Sequence, residues 1–371
     1  MTARQYSSPE QQPGSADLLQ LPHLPALHVA RTRLTDQLDA AAQHRVCLII
    51  AGAGWGKTTA ITAWADPART AWLTLRARDA RLEGLLPRLV AALRPQLPEL
   101  SLPTGGEYPG SDERVCEAVL AQLSERLEHL LPDGLTLVLD DVQELPVPSA
   151  AARFVAGLCR RPPEALHLVL CSRVEPPIPV ERLRGQGHLA EINATQLGFA
   201  ADDVAALLRR TLGDEAADLA PQVWKRTGGC PTLVCFAAEA MRGIDPQRRL
   251  DTLAQLSRPG GRLTSYLADE VLGREPEHVQ QFLRRLAVLG EITLPVAGAL
   301  DVEDPARLLA DLTRRGLVRR TVGPEVCWSV LRPLRDYLDE SVLPETDRAM
   351  LHRTAAKELA ARGAHGRALQ H

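Results

Sequence analysis

Residues 46–59 read VCLIIAGAGWGKTT, and this stretch decides the fold. The five apolar residues at 46–50 have the length and composition of a buried strand. The small, glycine-rich residues at 51–56 predict a tight loop, and the run at 58–65 has helical character. A strand, a glycine-rich loop and a helix in this order indicate an α/β protein with a parallel sheet.

The loop fits the phosphate-binding pattern, with Ala51 in place of its first glycine. Small residues let successive backbone N–H groups surround phosphate oxygens, and the following helix directs its positive end at the same anion. In this pattern Lys57 reaches the β- and γ-phosphates, and the Thr58 hydroxyl is a Mg²⁺ ligand. The predicted nucleotide-binding residues of the loop are Gly52, Ala53, Gly54, Trp55, Gly56, Lys57, Thr58 and Thr59.

Two further apolar runs, LTLVLDD and LHLVLCSR, end in polar residues. The carboxyl ends of parallel strands share one edge of the sheet, where ligands bind. We predict that Asp140 holds Mg²⁺ through water and that Asp141 polarises the attacking water. Arg173 is predicted to contact the γ-phosphate, although a surface arginine after a strand is the simpler alternative. With Lys57 these three residues form the predicted catalytic set.

The pattern of apolar residues divides the chain into five segments. Residues 1–26 have the Ser-, Pro- and Gln-rich composition of a solvated tail. Strands alternate with helices in 27–195, helical spacing dominates 196–262, and two helices before a hairpin indicate a winged helix in 263–343. Residues 344–371 are typical of the start of a helical repeat array. The predicted fold is therefore an α/β P-loop domain, with helices on both sheet faces, followed by helical, winged-helix and repeat segments.

Composition narrows the class of protein further. The chain has 371 residues, of which 43 are basic and 46 acidic, so its net charge of -3 argues against a generally basic nucleic-acid binder. The seven cysteines are odd in number and mostly stand in apolar runs, which favours buried thiols over a metal–thiolate site. No apolar run approaches the ~18 residues of a membrane span. We therefore expect a cytoplasmic protein with no membrane partner.

The order of these motifs resembles the STAND ATPases, and among them the MalT/LuxR-type ATP-dependent transcriptional regulators. The resemblance extends from about residue 27 to the end of the chain and includes AGAGWGKTT, LVLDD, LVLCSR, TGGCP and WSVLRPLRDYL. It implies a switch driven by ATP and ADP with Mg²⁺, in which the helical and winged-helix domains close over the nucleotide. It also implies self-association in the ATP state, an inducer of unknown chemistry, and positions near the adenine for Arg31 and Pro231.

The sequence departs from the family pattern in three places. Ala51 replaces a glycine of the loop, and Leu331 stands where the family has a winged-helix histidine that touches the ADP β-phosphate. The second change argues against simple transfer of the ADP-dependent lock. Family members also continue into a sensor array and a DNA-binding helix-turn-helix, of which this chain contains only the start of the array. DNA is therefore expected as a partner only indirectly or through a further C-terminal region.

The function we expect is an ATP-binding switch with slow Mg·ATP hydrolysis that regulates transcription through ATP-dependent oligomerisation. One alternative is a scaffold that binds nucleotide without cycling, which the change at Leu331 favours. The other is direct DNA binding by the winged helix. Four arginines of that domain cluster in the sequence and are candidates for phosphate contacts: Arg314, Arg315, Arg319 and Arg320.

Overall fold

The computed structural model describes residues 19–100, 113–130, 134–164, 166–256, 262–323, 325–340 and 343–369. Most of the predicted tail, up to residue 18, lies outside the described residues. The first domain is built on five strands: β1 (Val46–Ile50), β2 (Thr70–Thr74), β3 (Leu135–Asp140), β4 (Leu166–Ser172) and β5 (Leu189–Asn193). They form one sheet in the order β2-β3-β4-β1-β5, and every pair is parallel.

Both faces of this sheet are covered by helices, as predicted. On β1, Cys47 and Ile49 belong to one apolar cluster and Val46 and Leu48 to the other. A strand that is buried on both faces needs a continuous apolar run, which explains its composition. The helices of the domain are α1 (Thr32–Ala41), α2 (Lys57–Trp64), α3 (Leu82–Leu93), α4 (Glu113–Leu130), α5 (Ala150–Arg160), α6 (Val180–Gly185) and α7 (Ala194–Leu197), with short 3-10 turns at Ala77–Ala80 and Val142–Glu144.

The sheet order puts β4 between β3 and β1. The phosphate loop follows β1, the two aspartates end β3, and Arg173 follows β4, so all three segments leave the same edge side by side. The strand β5 was not predicted from the sequence, because its run LAEIN contains Glu191 and Asn193 and it is only half-buried at the sheet edge.

A helical domain with its own apolar cluster follows. Its helices are α8 (Ala201–Leu212), α9 (Ala220–Thr227), α10 (Pro231–Ala240) and α11 (Arg249–Ala254), with 3-10 turns at Asp214–Leu219 and Pro246–Arg248. Gly228 ends α9 in the left-handed conformation (φ 68°), and Pro231 begins α10 as its first residue. These are the conformations that helix ends favour for Gly and Pro, so the segment 228–231 forms a tight corner.

The winged-helix domain contains a three-stranded sheet in the order β6-β8-β7. Its elements are α12 (Arg262–Tyr266), a π-helical turn (Leu267–Leu272), α13 (Glu277–Leu289), β6 (Glu291–Ile292), α14 (Leu294–Gly298), α15 (Pro305–Arg315), β7 (Val318–Val322), β8 (Val326–Val330) and α16 (Arg332–Glu340). The predicted pair of helices and the hairpin are confirmed. Its core is continuous with one face of the large sheet, because Leu283, Leu286 and Leu312 belong to the same apolar cluster as Ile49.

The chain ends in α17 (Glu345–Ala361) and α18 (His365–Ala368). The first of these packs on the winged helix through Leu351, Ala355 and Leu359, which are buried in the shared cluster. Among the helices that the structure describes, none is both long and apolar enough to cross a membrane.

Candidate nucleotide-binding site

The loop between β1 and α2 curls because two of its glycines have positive φ angles, 77° at Gly54 and 78° at Gly56. Residues other than glycine rarely adopt a positive φ angle, so the shape of the loop depends on these two glycines. Ala51 is different, because its φ is not positive and its side chain is completely buried. The Ala51 N–H donates to the Ser172 carbonyl over 3.2 Å. The substitution at the first glycine position therefore fits the backbone of the loop.

Lys57 is the first residue of α2, and its side chain folds back over the loop. The Nζ donates to the Ala51 carbonyl over 2.7 Å and to the Gly52 carbonyl over 3.1 Å. Burial lowers the pKa of this ammonium, while the nearby Asp140 carboxylate acts in the opposite direction. A buried cation at the N-terminus of a helix is suited to an anionic ligand such as a polyphosphate.

Thr58 and Asp140 are joined directly. The Thr58 hydroxyl donates to Asp140 Oδ2 over 2.9 Å, and the Asp141 N–H donates to Asp140 Oδ1 over 3.0 Å. Asp140 is buried, and burial raises the pKa of its carboxyl to about 6, with the neighbouring Asp141 charge adding to the shift. A buried carboxylate beside a hydroxyl supplies the oxygen ligands that Mg²⁺ prefers, and a cation there would offset the cost of burying the charge. The donor set therefore fits Mg²⁺.

A glutamine connects the second aspartate to the arginine after β4. Gln143 Nε2 donates to Asp141 Oδ1 over 2.8 Å, and Gln143 Oε1 accepts from the Arg173 backbone N–H over 2.9 Å. Asp141 itself has a left-handed backbone (φ 56°), which is uncommon for a residue other than glycine. Gln143 was not predicted from the sequence, because a glutamine in a short turn has no distinctive spacing.

An apolar cavity of about 410 Å³ opens beside the loop, at the start of α2 and α10. The predicted residues Arg31, Gly56, Thr59 and Pro231 all line it, together with residues that were not predicted: Pro25, Leu27, His28, Val29, Phe199, Thr232, Cys235, Phe236 and Glu239. The Arg31 guanidinium lies over the Phe199 ring, 5.2 Å from its centroid. Apolar walls with few polar groups suit the base of a nucleotide whose phosphates lie in the loop.

The loop is also the place where the later domains contact the first one. The Gly52 N–H donates to the Arg315 carbonyl of α15 over 2.7 Å, and the Thr232 N–H of α10 donates to the Gly54 carbonyl over 3.1 Å. A Cβ on Gly54 would overlap the Tyr266 hydroxyl of α12. One loop of six residues thus contacts the helical domain and two elements of the winged helix.

Trp55 contributes to these domain contacts through its side chain. Its indole is buried and packs on Gly198 and Gly316, where a Cβ on Gly316 would overlap the ring. Gly316 ends α15 in the left-handed conformation (φ 75°). Position 316 therefore requires glycine for two reasons: the backbone angle disfavours a side chain, and the Trp55 ring leaves no room for one. A phosphate contact by Trp55 would therefore come from its backbone N–H.

Leu331, at the position of the family histidine, packs against the helical domain. A Cβ on Gly228 would lie 2.5 Å from Leu331 Cδ2 and 3.2 Å from Arg319 Nη2. Leu331 is thus an apolar contact between β8 and the corner before α10.

Three of the four arginines considered for DNA binding are used within the chain. Arg314 pairs with Glu175 over 2.6 Å, and Arg319 lies over the Trp224 ring at 5.2 Å. Arg315 is buried and pairs with Glu275 and Asp311. Arg319 and Arg320 are both exposed on β7. Arg314 and Arg315 are thus paired with carboxylates of the chain, whereas Arg319 and Arg320 lie at exposed positions.

Comparison with known proteins finds two known domain families in the chain. The family model of an AAA ATPase domain matches residues 29–171, and that of the MalT winged helix domain matches residues 268–350. The HTH-type transcriptional regulator MalT of Yersinia pestis is 30% identical over 317 residues, which are 82% of this chain and 34% of that protein. MalT of Cronobacter sakazakii is 28% identical over 363 residues, 92% of this chain and 38% of that protein.

The chain spans about a third of the length of these curated relatives. Among solved structures, a Walker-type ATPase of Pyrococcus abyssi has a similar fold, with a TM-score of 0.52 and 15% identity over 83% of this chain and 95% of that one. The two family models and the MalT relatives agree with the resemblance that the motifs indicate. The chain is therefore related to MalT and combines an AAA ATPase domain with a MalT winged helix domain.

Proposed function

We propose that this chain is the nucleotide-dependent switch module of a MalT-type transcriptional regulator, acting in the cytoplasm. It binds ATP or ADP with Mg²⁺ in the loop and the adjacent apolar cavity. The observation that carries the proposal is that the phosphate loop is also the junction of the domains, through Gly52, Gly54 and Trp55. A ligand that moves this loop changes what α10, α12 and α15 pack against, and a ligand shifts such an equilibrium when it prefers one arrangement.

Each polar residue of the site has a role in this proposal. Lys57 leaves the loop carbonyls to contact the β- and γ-phosphates, and Thr58 and Asp140 hold the metal ion. When bound, Mg²⁺ neutralises phosphate charge. Asp141, oriented by Gln143, accepts a hydrogen bond from the attacking water, and Arg173 stabilises charge at the terminal phosphate. Slow turnover is expected, because Arg173 is already paired with Glu270 in this domain arrangement.

ATP-dependent self-association and response to an inducer are the remaining parts of the proposal. They are supported by the match to the MalT winged helix domain, whose core here is continuous with the ATPase sheet. Transcriptional regulation itself is proposed from the MalT relatives, of which this chain spans about a third.

The first experiment is to denature the purified protein and quantify the released nucleotide by chromatography, for wild type, Lys57→Ala and Lys225→Ala. Lys225 is the matched control, because it is an exposed lysine on α9. We expect near-stoichiometric nucleotide in wild type and Lys225→Ala and none in Lys57→Ala. Equal nucleotide content in all three proteins, or binding of added ATP that is insensitive to Lys57→Ala, would contradict the site.

The cavity offers an independent chemical test. Cys235 lines it and is half-buried, whereas the other six cysteines are buried. We expect alkylation of Cys235 by N-ethylmaleimide to slow when Mg·ADP is added. Mass spectrometry of the peptide identifies the modified thiol, and an unchanged rate at saturating nucleotide would place the ligand elsewhere.

A scaffold that binds nucleotide without cycling is the second candidate, and the apolar contact of Leu331 with Gly228 favours it. The two are separated by single-turnover hydrolysis of bound ATP by wild type and Asp141→Asn. A measurable rate in wild type that Asp141→Asn abolishes supports the cycling switch. Equal background rates support the scaffold.

A further inference from the structure

The π-helical turn after α12 brings two side chains onto the ATPase domain. At its end the Gly273 N–H donates to the Ala268 carbonyl over 2.7 Å, five residues back. Such widened turns are rare and frequently occur at functional sites. Tyr266 immediately before this turn lies on Gly54 of the phosphate loop, and Glu270 within it reaches Arg173.

Arg173 stands where a terminal phosphate is expected. Its strand, β4, lies between β1, which leads into the phosphate loop, and β3, which ends in the two aspartates. Its backbone is tied to Asp141 through Gln143. The Arg173 charge also contributes to the lowered pKa of Lys57, in addition to burial, which is consistent with both cations facing the same volume.

The carboxylate that meets this arginine comes from the winged-helix domain. Glu270 Oε2 lies 3.4 Å from Arg173 Nη1, and the other oxygen, Oε1, lies 3.0 Å from Arg274 Nη2. Five residues further on, Glu275 pairs with the buried Arg315, whose carbonyl accepts from the Gly52 N–H. The segment 266–275 therefore contacts the phosphate loop at Gly54 and the end of β4 at Arg173. It thereby attaches the winged-helix domain to the ATPase domain.

We infer that Glu270 is a specificity-determining residue that favours nucleoside diphosphate over nucleoside triphosphate in this domain arrangement. The inference rests on the proposed nucleotide site and adds the basis of its selectivity. The two nucleotides differ only in the terminal phosphate, and this is the group that Arg173 is placed to contact. Glu270 supplies a negative charge to Arg173 from within the chain, so a γ-phosphate must either displace it or lie beside it.

The consequence is a coupling between the terminal phosphate and the domain contact. A triphosphate that takes Arg173 releases Glu270, and the segment 266–275 loses one of its attachments to the ATPase domain. A diphosphate leaves the Arg173–Glu270 pair in place. By thermodynamic linkage, the Arg173–Glu270 ion pair lowers the affinity for triphosphate, and bound triphosphate destabilises the ion pair to the same extent.

The test compares wild type with Glu270→Gln and Asp269→Asn by calorimetric titration of the full chain. The probes are ADP and the non-hydrolysable analogue AMPPNP, each with Mg²⁺. Glu270→Gln keeps the shape and removes the charge of a side chain that is 39% exposed, so the fold is expected to tolerate it. Asp269→Asn removes the same charge from an exposed neighbour and is the matched control.

We expect Glu270→Gln to bind AMPPNP about fivefold more tightly than wild type, as is appropriate to losing a partly exposed charge contact. ADP affinity is expected to stay within about twofold, and Asp269→Asn to resemble wild type for both probes. An unchanged ratio of the two affinities in Glu270→Gln, or the same change in Asp269→Asn, would overturn the inference while leaving the nucleotide site intact. Failure of wild type to bind either probe would instead refute the proposed function.

Discussion

The two ends of the proposed nucleotide site are built in different ways. The phosphate end is polar and buried, and its central residues Lys57 and Thr58 are adjacent in the sequence, with Asp140 ending a neighbouring strand. The base end is apolar and assembled from separate segments, including Arg31 before α1, Phe199 before α8 and Cys235 on α10. The phosphate end therefore depends on local backbone geometry, whereas the base end depends on how the helical domain packs.

The largest effect is expected from Gly54→Ala at the phosphate end. Its φ of 77° disfavours any side chain, and the new Cβ would overlap the Tyr266 hydroxyl and lie 2.9 Å from Thr232 Cβ. We expect ADP affinity to fall at least about 100-fold, because both loop shape and domain contact are lost. Gly213→Ala is the control, since it has φ 97° but nothing within 4 Å of the new Cβ. Similar losses of affinity in both variants would contradict a specific role of Gly54 in nucleotide binding.

Asp140→Asn is expected to stabilise the protein in the absence of ligands. The folded-state pKa of about 6 lies above the ordinary value of 3.8, so the folded protein binds this proton more tightly than the unfolded chain does. The free energy of unfolding therefore falls as pH rises from about 4 to 6, by up to about 3 kcal/mol for a shift of this size. Asp140→Asn lacks this titration and should be more stable than wild type at pH 7. Urea unfolding from pH 4 to 7, without nucleotide or Mg²⁺, measures the difference. The same pH dependence of the unfolding free energy in both proteins would contradict a raised pKa of Asp140 in the folded state.

At the base end, Cys235→Trp is expected to fill the cavity and weaken ADP and ATP equally. A loss of about tenfold corresponds to displacing the base from its apolar contacts while the phosphate contacts remain. Cys235→Ser is the control, because it preserves the volume of the side chain. Titration of both variants with each nucleotide checks this, and a selective loss of ATP would show that the cavity serves another group.

The smallest effect is expected from Arg31→Gln. It removes the contact of the guanidinium with the Phe199 ring and its hydrogen bond to the Leu197 carbonyl. We expect nucleotide affinity to fall about threefold, in keeping with the strength of a cation–π contact. Arg33→Gln, on the exposed side of the same segment, should stay near wild type. Equal effects of the two changes would mean that Arg31 acts by holding the backbone at 197–198, as Arg33 does, and not by lining the cavity.

The same contrast explains how much the sequence could predict. The order of domains, four of the five parallel strands and the residues of the phosphate loop follow from local apolar runs and spacing. The contacts that couple the domains do not, because Arg173 meets a residue 97 positions away and Gly52 meets Arg315. Phe199 and Gln143 were missed for a related reason, since an aromatic residue before a helix and a glutamine in a turn acquire their roles only by tertiary packing.

The central claim is that the phosphate loop transmits nucleotide state to the winged helix. Hydrogen–deuterium exchange of wild type and Lys57→Ala, without nucleotide, with ADP and with AMPPNP, tests it directly. We predict that exchange in 262–275 and 305–317 differs between ADP and AMPPNP in wild type, and that no nucleotide affects these segments in Lys57→Ala. Nucleotide-dependent protection confined to the loop at 51–59, with both distant segments unchanged, would contradict the account.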